Sequence, residues 1–96
     1  MRIKWLRRAL ANLDEEAAYI AQDSPKIAAE FVPHLLASAA LLADHPQMGR
    51  PGRVPGTREL VITRFSYILP YRVRGETVEI LRVFHSARQW PQRFPP

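Results

Sequence analysis

No cysteine occurs among the 96 residues. The chain therefore has no disulfide framework, no thiolate nucleophile and no cysteine metal site, and the cytoplasm is its expected location. It also lacks any unbroken run approaching the ~18 apolar residues of a membrane span. The basic start, MRIKWLRRAL, has no continuous apolar core and soon meets Asp14, Glu15 and Glu16, so it is not read as a signal peptide. There is no internal repeat or low-complexity tract. The stretch 44–57, DHPQMGRPGRVPGT, is rich in glycine and proline but lacks the Lys-Ser/Thr of a phosphate-binding P-loop. His34, His45 and His85 have no second ligand at metal spacing, so neither a metal nor another cofactor is expected. These absences leave a chain expected to be soluble, unexported and without a membrane partner.

What is present fits one small domain, 1–96, with a single core. With 47% hydrophobic and 24% charged residues the composition is ordinarily globular. The net charge of +5 is unevenly placed. Residues 1–49 carry five basic and six acidic side chains, whereas residues 50–96 carry nine arginines against Glu59, Glu76 and Glu79. Arginine forks suit carboxylate and phosphate recognition, so this half admits an anionic partner, either nucleic acid or an acidic protein segment. A solvated basic face without a partner is the alternative.

Residues 1–6 contain a short apolar run, Ile3 to Leu6, that can join a sheet edge as a strand. From Arg8 to Gln22, Leu10, Leu13, Ala17 and Ile20 follow helical spacing. Ser24 can cap, and Pro25 can open, a second helix to about Ala43, with Ile27, Phe31, Leu35, Ser38 and Leu42 as its stripe and His34 opposite. Pro33 conflicts with that helix, which should kink there or begin later. The two helices form an α-hairpin over 8–43, and residues 44–57 follow as a loop.

Residues 58–85 read as an antiparallel meander of three strands. Leu60 and Ile62 alternate with Glu59, Val61 and Thr63; Tyr67, Leu69, Tyr71 and Val73 share one side. Arg74-Gly75-Glu76 is a tight connection in which Gly75 can take positive φ. In the third run Val78, Ile80, Arg82 and Phe84 face one way, and Glu79, Leu81, Val83 and His85 the other. Pro70 marks a bulge or an unpaired backbone position. Residues 86–96 are a proline-rich tail. The fold class is thus α/β in the α+β sense: an N-terminal strand and an α-hairpin packed on one face of a small antiparallel sheet.

Candidate functional residues gather near the end of the meander. His85, with Arg88 three residues on, could serve as acid or base, although a histidine at a strand end more simply bonds a neighbouring backbone group. Trp90 could stack on a base or a partner, or close the core; Trp5 reads as core. Arg58, Arg72 and Arg82 are candidate cations of a target-binding basic surface, but strand parity leaves open which of them share a face with His85.

The strings RALANLDEEAAYIAQDSP, GRPGRVPGTREL, YILPYRV and VEILRVFHSARQWP, in that order over Ile3 to Pro91, resemble the RelE/ParE superfamily of bacterial type II toxins. The resemblance implies an α-hairpin on an antiparallel sheet and a cognate antitoxin that binds the toxin directly as a hetero-oligomer. It also implies one of two actions: cleavage of messenger RNA on the ribosome, as in RelE-like members, or inhibition of DNA gyrase, as in ParE-like members. Positions matching the basic residues of RelE-like nucleases are Glu59, Val61 and Ile68, none of them cationic. The resemblance therefore implies a ParE-like, non-enzymatic gyrase inhibitor of the plasmid-stabilising kind. The alternative is a metal-independent, ribosome-dependent endoribonuclease using His85 and Arg88, and a degenerate member without toxicity is a third reading.

Overall fold

The two periodicities, 3.6 in the first half and 2 in the second, build an α+β domain of two helices laid on one face of a mostly antiparallel sheet. The computed structural model describes residues 1–87. In chain order the elements are β1 (Arg2–Trp5), α1 (Arg7–Asp23), α2 (Pro25–Ala40) with a 3₁₀ turn at Leu41–Ala43, β2 (Arg50–Pro51), β3 (Arg58–Ile62), a second 3₁₀ turn at Arg64–Ser66, β4 (Tyr67–Arg74), β5 (Thr77–Ile80) and β6 (Phe84–His85). Trp90 and Arg88 lie outside the described residues.

Ser24 ends one helix and starts the next: its hydroxyl accepts from the Ile27 amide at 3.2 Å, and Pro25 occupies the first helical position. Leu13 from α1 meets Phe31, Leu35 and Ala39 from α2, and together they cover Leu60, Ile62, Leu69, Tyr71, Val78 and Ile80 of the sheet. Full burial of each such side chain contributes about 1.5–3 kcal/mol. Two stripe positions are corrected: Leu10 and Ile27 are each 45% exposed, while Ala9 and Ala39 are buried in their place. Ala9, one residue before Leu10, takes the core-facing position on α1, and Ala39 continues the Phe31–Leu35 row of α2 by one turn. His34 is likewise not opposite the stripe; its ring lies 5.6 Å from that of Phe65.

Helix α2 begins at Pro25 and continues through Pro33, which removes the later-start alternative. Pro33 and Ala29, whose carbonyl loses its helical donor, both face solvent, so water can satisfy the freed oxygen. The 19 residues Pro25–Ala43 reach a hydropathy of 1.4, enough by length and composition for a membrane span. This corrects the reading that nothing approaches one: alanines raise the average even though Lys26, Glu30 and His34 interrupt each apolar run. In this fold the stretch supplies Phe31, Leu35, Ala39 and Leu42 to the core.

The sheet order is β1-β5-β4-β3-β2, with β6 beside β4. The first strand does join an edge, but it pairs parallel to β5, with Ile3 opposite Val78 and Trp5 opposite Ile80. The loop 44–57 contains a two-residue strand, β2, paired with β3 through Arg50 and Glu59. Gly75 turns β4 into β5 at φ +58°, as a two-residue hairpin connection requires.

The third run of the meander is interrupted. Tyr71 pairs with Ile80 and Ile68 with Phe84, so three residues, Leu81 to Val83, oppose two, Leu69 and Pro70. This is a β-bulge, and the Leu81 amide crosses it to donate to the Pro70 carbonyl at 2.9 Å. One extra residue reverses the side-chain parity beyond it. Val83 accordingly joins the same core as Ile80, and Phe84 lies across from Ile68 on the other face, contrary to strict alternation.

Candidate functional site

The bulge aims the chain after Ile80 along the side of α1, and the resulting seam holds the chemistry-bearing side chains. Asn12 sits in the middle of it. Its Oδ1 accepts from the Val83 amide at 3.2 Å and from Arg82 Nε at 2.8 Å. The Arg82 guanidinium carbon lies 4.8 Å from the centroid of the Phe84 ring. Burial and the neighbouring Arg8 guanidinium lower the pKa of Arg82, against a smaller opposing effect of Glu15.

One turn farther along α1, Glu16 accepts a 2.6 Å hydrogen bond from the Tyr67 hydroxyl. The His85 ring meets Tyr67 edge to face at 5.2 Å, and its Nδ1 accepts from the Ala87 amide at 3.2 Å. Nδ1 is thereby the unprotonated nitrogen, which leaves Nε2 as the donor of a neutral imidazole. Tyr19, Ile20, Ile27 and Phe65 complete an apolar cleft of about 410 Å³ around this pair. Phe65 and Ser66 hold positive φ, 73° and 61°, a strained conformation for non-glycine residues. Packing fixes it: the Phe65 ring stands edge to face on Phe31 at 5.4 Å and lies 4.6 Å from Arg64.

The candidate cations do not converge. Arg82 and His85 share the seam. Arg58 stands at the other end of the helix-covered face, four residues along β3 from the Ile62–Tyr67 pair, and donates to the Gly49 carbonyl at 2.8 Å. Arg72 projects from the opposite, open face, where Glu79 holds it at 2.7 Å. Arg74 shares the same carboxylate at 3.8 Å. Arg88 and Trp90 fall outside the described residues. Arg8, Asn12, Glu16, Tyr19 and Tyr67 belong to the seam but were not singled out from the sequence. Their signal was the i, i+4 spacing of Arg8, Asn12 and Glu16, a polar stripe beside the apolar one.

The open face carries the residues aligned with nuclease positions. Glu59 is only 3% exposed; Arg50 donates to its Oε1 at 2.9 and 3.1 Å, and the Arg53 amide donates to its Oε2 at 2.9 Å. Burial pushes the Glu59 pKa up, but these hydrogen bonds and both arginine charges outweigh it and hold the group below the ordinary carboxylate value. Val61 is 45% exposed, and Ile68, opposite it, is buried.

A family model described as ParE toxin of type II toxin-antitoxin system, parDE, matches residues 3–90. Toxin Y4kP of Sinorhizobium fredii is 50% identical over 91 residues, covering 95% of this chain and 94% of the relative. Two toxins of Caulobacter vibrioides, RelE2 and ParE1, are 37% and 35% identical and cover 90% and 84% of this chain, and 96% and 84% of their own lengths. A solved chain from the chromosomal ParDE system of P. aeruginosa superposes with a TM-score of 0.79 at 33% identity, covering 88% of this chain and 95% of that one. With a family model spanning the described helices and sheet alike, and relatives of matching length, the chain belongs to the ParE toxin family of type II toxin–antitoxin systems.

Proposed function

We propose that this toxin arrests growth as a protein inhibitor of DNA gyrase in the cytoplasm, and that a cognate antitoxin neutralises it by binding directly to it. The observation that carries the choice of target is the open face of the sheet. A metal-independent ribonuclease needs cations at the scissile phosphate and groups to move two protons. The positions aligned with those cations hold a buried, already paired carboxylate at Glu59, an aliphatic surface at Val61 and a buried side chain at Ile68. Arg72 and Arg74 beside them share Glu79, so half of their charge is balanced within the protein. Such a face disfavours a phosphate in line for cleavage and suits contact with a protein target.

The alternative of a ribosome-dependent endonuclease draws its support from His85, which borders a cleft together with Tyr67. In that reading His85 moves a proton and Arg88 supplies a cation.

The deciding experiment is supercoiling of relaxed plasmid by gyrase with the purified chain added, alone and premixed with its antitoxin. Inhibition that the antitoxin relieves is the expected result. Absence of inhibition, from a chain that still arrests growth when induced, transfers the function to messenger RNA cleavage.

A further inference from the structure

Five of the ten arginines of the described residues are ion-paired within the fold, to three carboxylates. Arg50 and Arg53 share Glu59, Arg72 and Arg74 share Glu79, Arg64 meets Glu30, and Arg58 is tied to loop carbonyls. Arg8 and Arg82 are different. Among the described residues neither forms an ion pair: Arg82 bonds Asn12, and Arg8, one helical turn before Asn12 on α1, is close enough for its charge to act on Arg82. Asparagine offers a neutral oxygen there, so it orients the guanidinium without cancelling its charge.

Arg82 is also held in place. Its Nε is spent on Asn12 and its plane rests near Phe84, which leaves the terminal nitrogens of the fork for a ligand outside the fold. A fixed fork loses little freedom on binding. Burial, and after it the nearby Arg8 charge, lowers the pKa of Arg82, with Glu15 opposing.

We infer that the Arg8–Arg82 pair is a docking site for a carboxylate side chain of the antitoxin, and that the adjoining cleft at Tyr67 and His85 takes an apolar side chain of the same segment. The inference rests on the reading that an antitoxin binds this chain. Charge complementarity selects a carboxylate or a phosphate at the pair, and the rest of the seam selects the protein. Glu15, whose charge reaches Arg82, and Glu16, bonded to Tyr67, line this part of α1 and repel a run of phosphates, whereas a peptide needs only one acid at the pair. The cleft beyond is apolar, bounded by Tyr19, Ile20, Ile27 and Phe65. Asn12 and Ile20 are eight helical residues apart, so the acidic and apolar anchors of the partner should be separated by about 12 Å.

The test is calorimetric titration of the toxin with the full-length antitoxin of its own module at 0.1 M salt. The variants are Arg8→Glu, Arg82→Lys and, as a control of equal charge change, Arg74→Glu. Arg8 is exposed, so its reversal leaves the core untouched. It also gives Arg82 an internal carboxylate that competes with the partner's. The expected result is a loss of affinity of at least tenfold for Arg8→Glu with a thermal midpoint equal to or above that of the parent. Arg82→Lys, which keeps the charge and loses the fork, should fall between, and Arg74→Glu should change affinity less than threefold. Unchanged binding by Arg8→Glu, or an equal loss from Arg74→Glu, overturns the site while the antitoxin reading stands. Failure of the parent toxin to bind overturns both. In a parallel arm, a 20-nucleotide single-stranded DNA that binds the parent and is lost in Arg8→Glu, with antitoxin affinity unchanged, reassigns the pair to phosphate.

Discussion

Glu59 and Arg50 face each other across β2 and β3, and two hydrogen bonds of 2.9 and 3.1 Å join the guanidinium to a single carboxylate oxygen. The other oxygen takes the Arg53 amide, with Arg53 Nε at 3.3 Å. One buried acid thus ties a glycine- and proline-bearing loop to the sheet. Without it, two cations and an amide donor would have no common acceptor.

Replacing Glu59 by alanine should therefore destabilise the fold by roughly 2 kcal/mol, nearer the charged-hydrogen-bond range than the larger cost of fully buried pairs, because both arginines are half exposed. The folded pKa of Glu59 is depressed, so its contribution is present above the unfolded carboxylate pKa and disappears as pH falls through the folded value. Thermal midpoints followed from pH 7 into the acid range should show Glu59→Gln losing less on acidification than the parent. Parallel curves for the two proteins would mean that Glu59 carries no pH-linked stability.

Tyr71 does a second, neutral version of the same work. Its hydroxyl donates to the Pro46 carbonyl at 2.8 Å and accepts from the Gly49 amide at 2.9 Å, inside the core end of the loop. Burial raises its pKa, against smaller lowering effects of the Gly49 amide and the Arg58 charge. Tyr71→Phe leaves the Gly49 donor without its acceptor and should cost about 1–2 kcal/mol, a fall in thermal midpoint of several degrees. Hydrogen exchange should show the loss of protection concentrated over residues 46–58. Gly49→Ala should do at least as much harm, since an added Cβ would stand 2.6 Å from the tyrosine ring and hydroxyl. A Gly49→Ala protein as stable as the parent would show that this contact can relax.

Neither of these ties was visible in the sequence, and the reasons are physical. The two helices and the alternating strands were legible because burying one face imposes a period. Glu59 breaks no period: in a strand read as one-sided it occupies the polar side, and nothing local announces that Arg50 and Arg53 from an aperiodic loop will enclose it. The bulge was hidden for a similar reason. Leu81 and Val83 are both apolar, so strict alternation and an inserted residue predict equally apolar strings, and the error propagates to the facing of Phe84. Pro70 did mark the place. The parallel pairing of β1 with β5 joins the two ends of the described chain, and only the three-dimensional path reveals it. The same holds for the seam, where Asn12 contributes from one half of the sequence and Arg82 from the other.

Pro33 offers a stabilising change. Pro33→Ala restores an amide donor to the Ala29 carbonyl and a strong helix former to an exposed position. The interior-proline penalty of ~3 kcal/mol is offset in part because proline also restricts the unfolded chain, by roughly 0.4–1 kcal/mol. A net gain of about 2 kcal/mol is expected, read as a higher denaturant midpoint at unchanged slope. A loss would indicate that α2 relies on the fixed backbone angle that proline supplies there.

His85 separates the two actions at the level of the cell. Its Nδ1 is occupied by the Ala87 amide and its ring is packed edge-on against Tyr67, so the geometry gives it a task in closing the seam. His85→Gln keeps a hydrogen-bonding group of similar reach and should cost no more than about 1 kcal/mol of stability. If the toxin works by contact with gyrase, induction of His85→Gln without antitoxin should arrest growth as the parent does, and supercoiling should be inhibited to within a fewfold. The opposite result has a distinct signature: growth restored, thermal midpoint unchanged, and messenger RNA intact where the parent leaves cleaved transcripts. A group that moves a proton in the reaction gives that combination, because a merely structural histidine would lower the thermal midpoint along with toxicity.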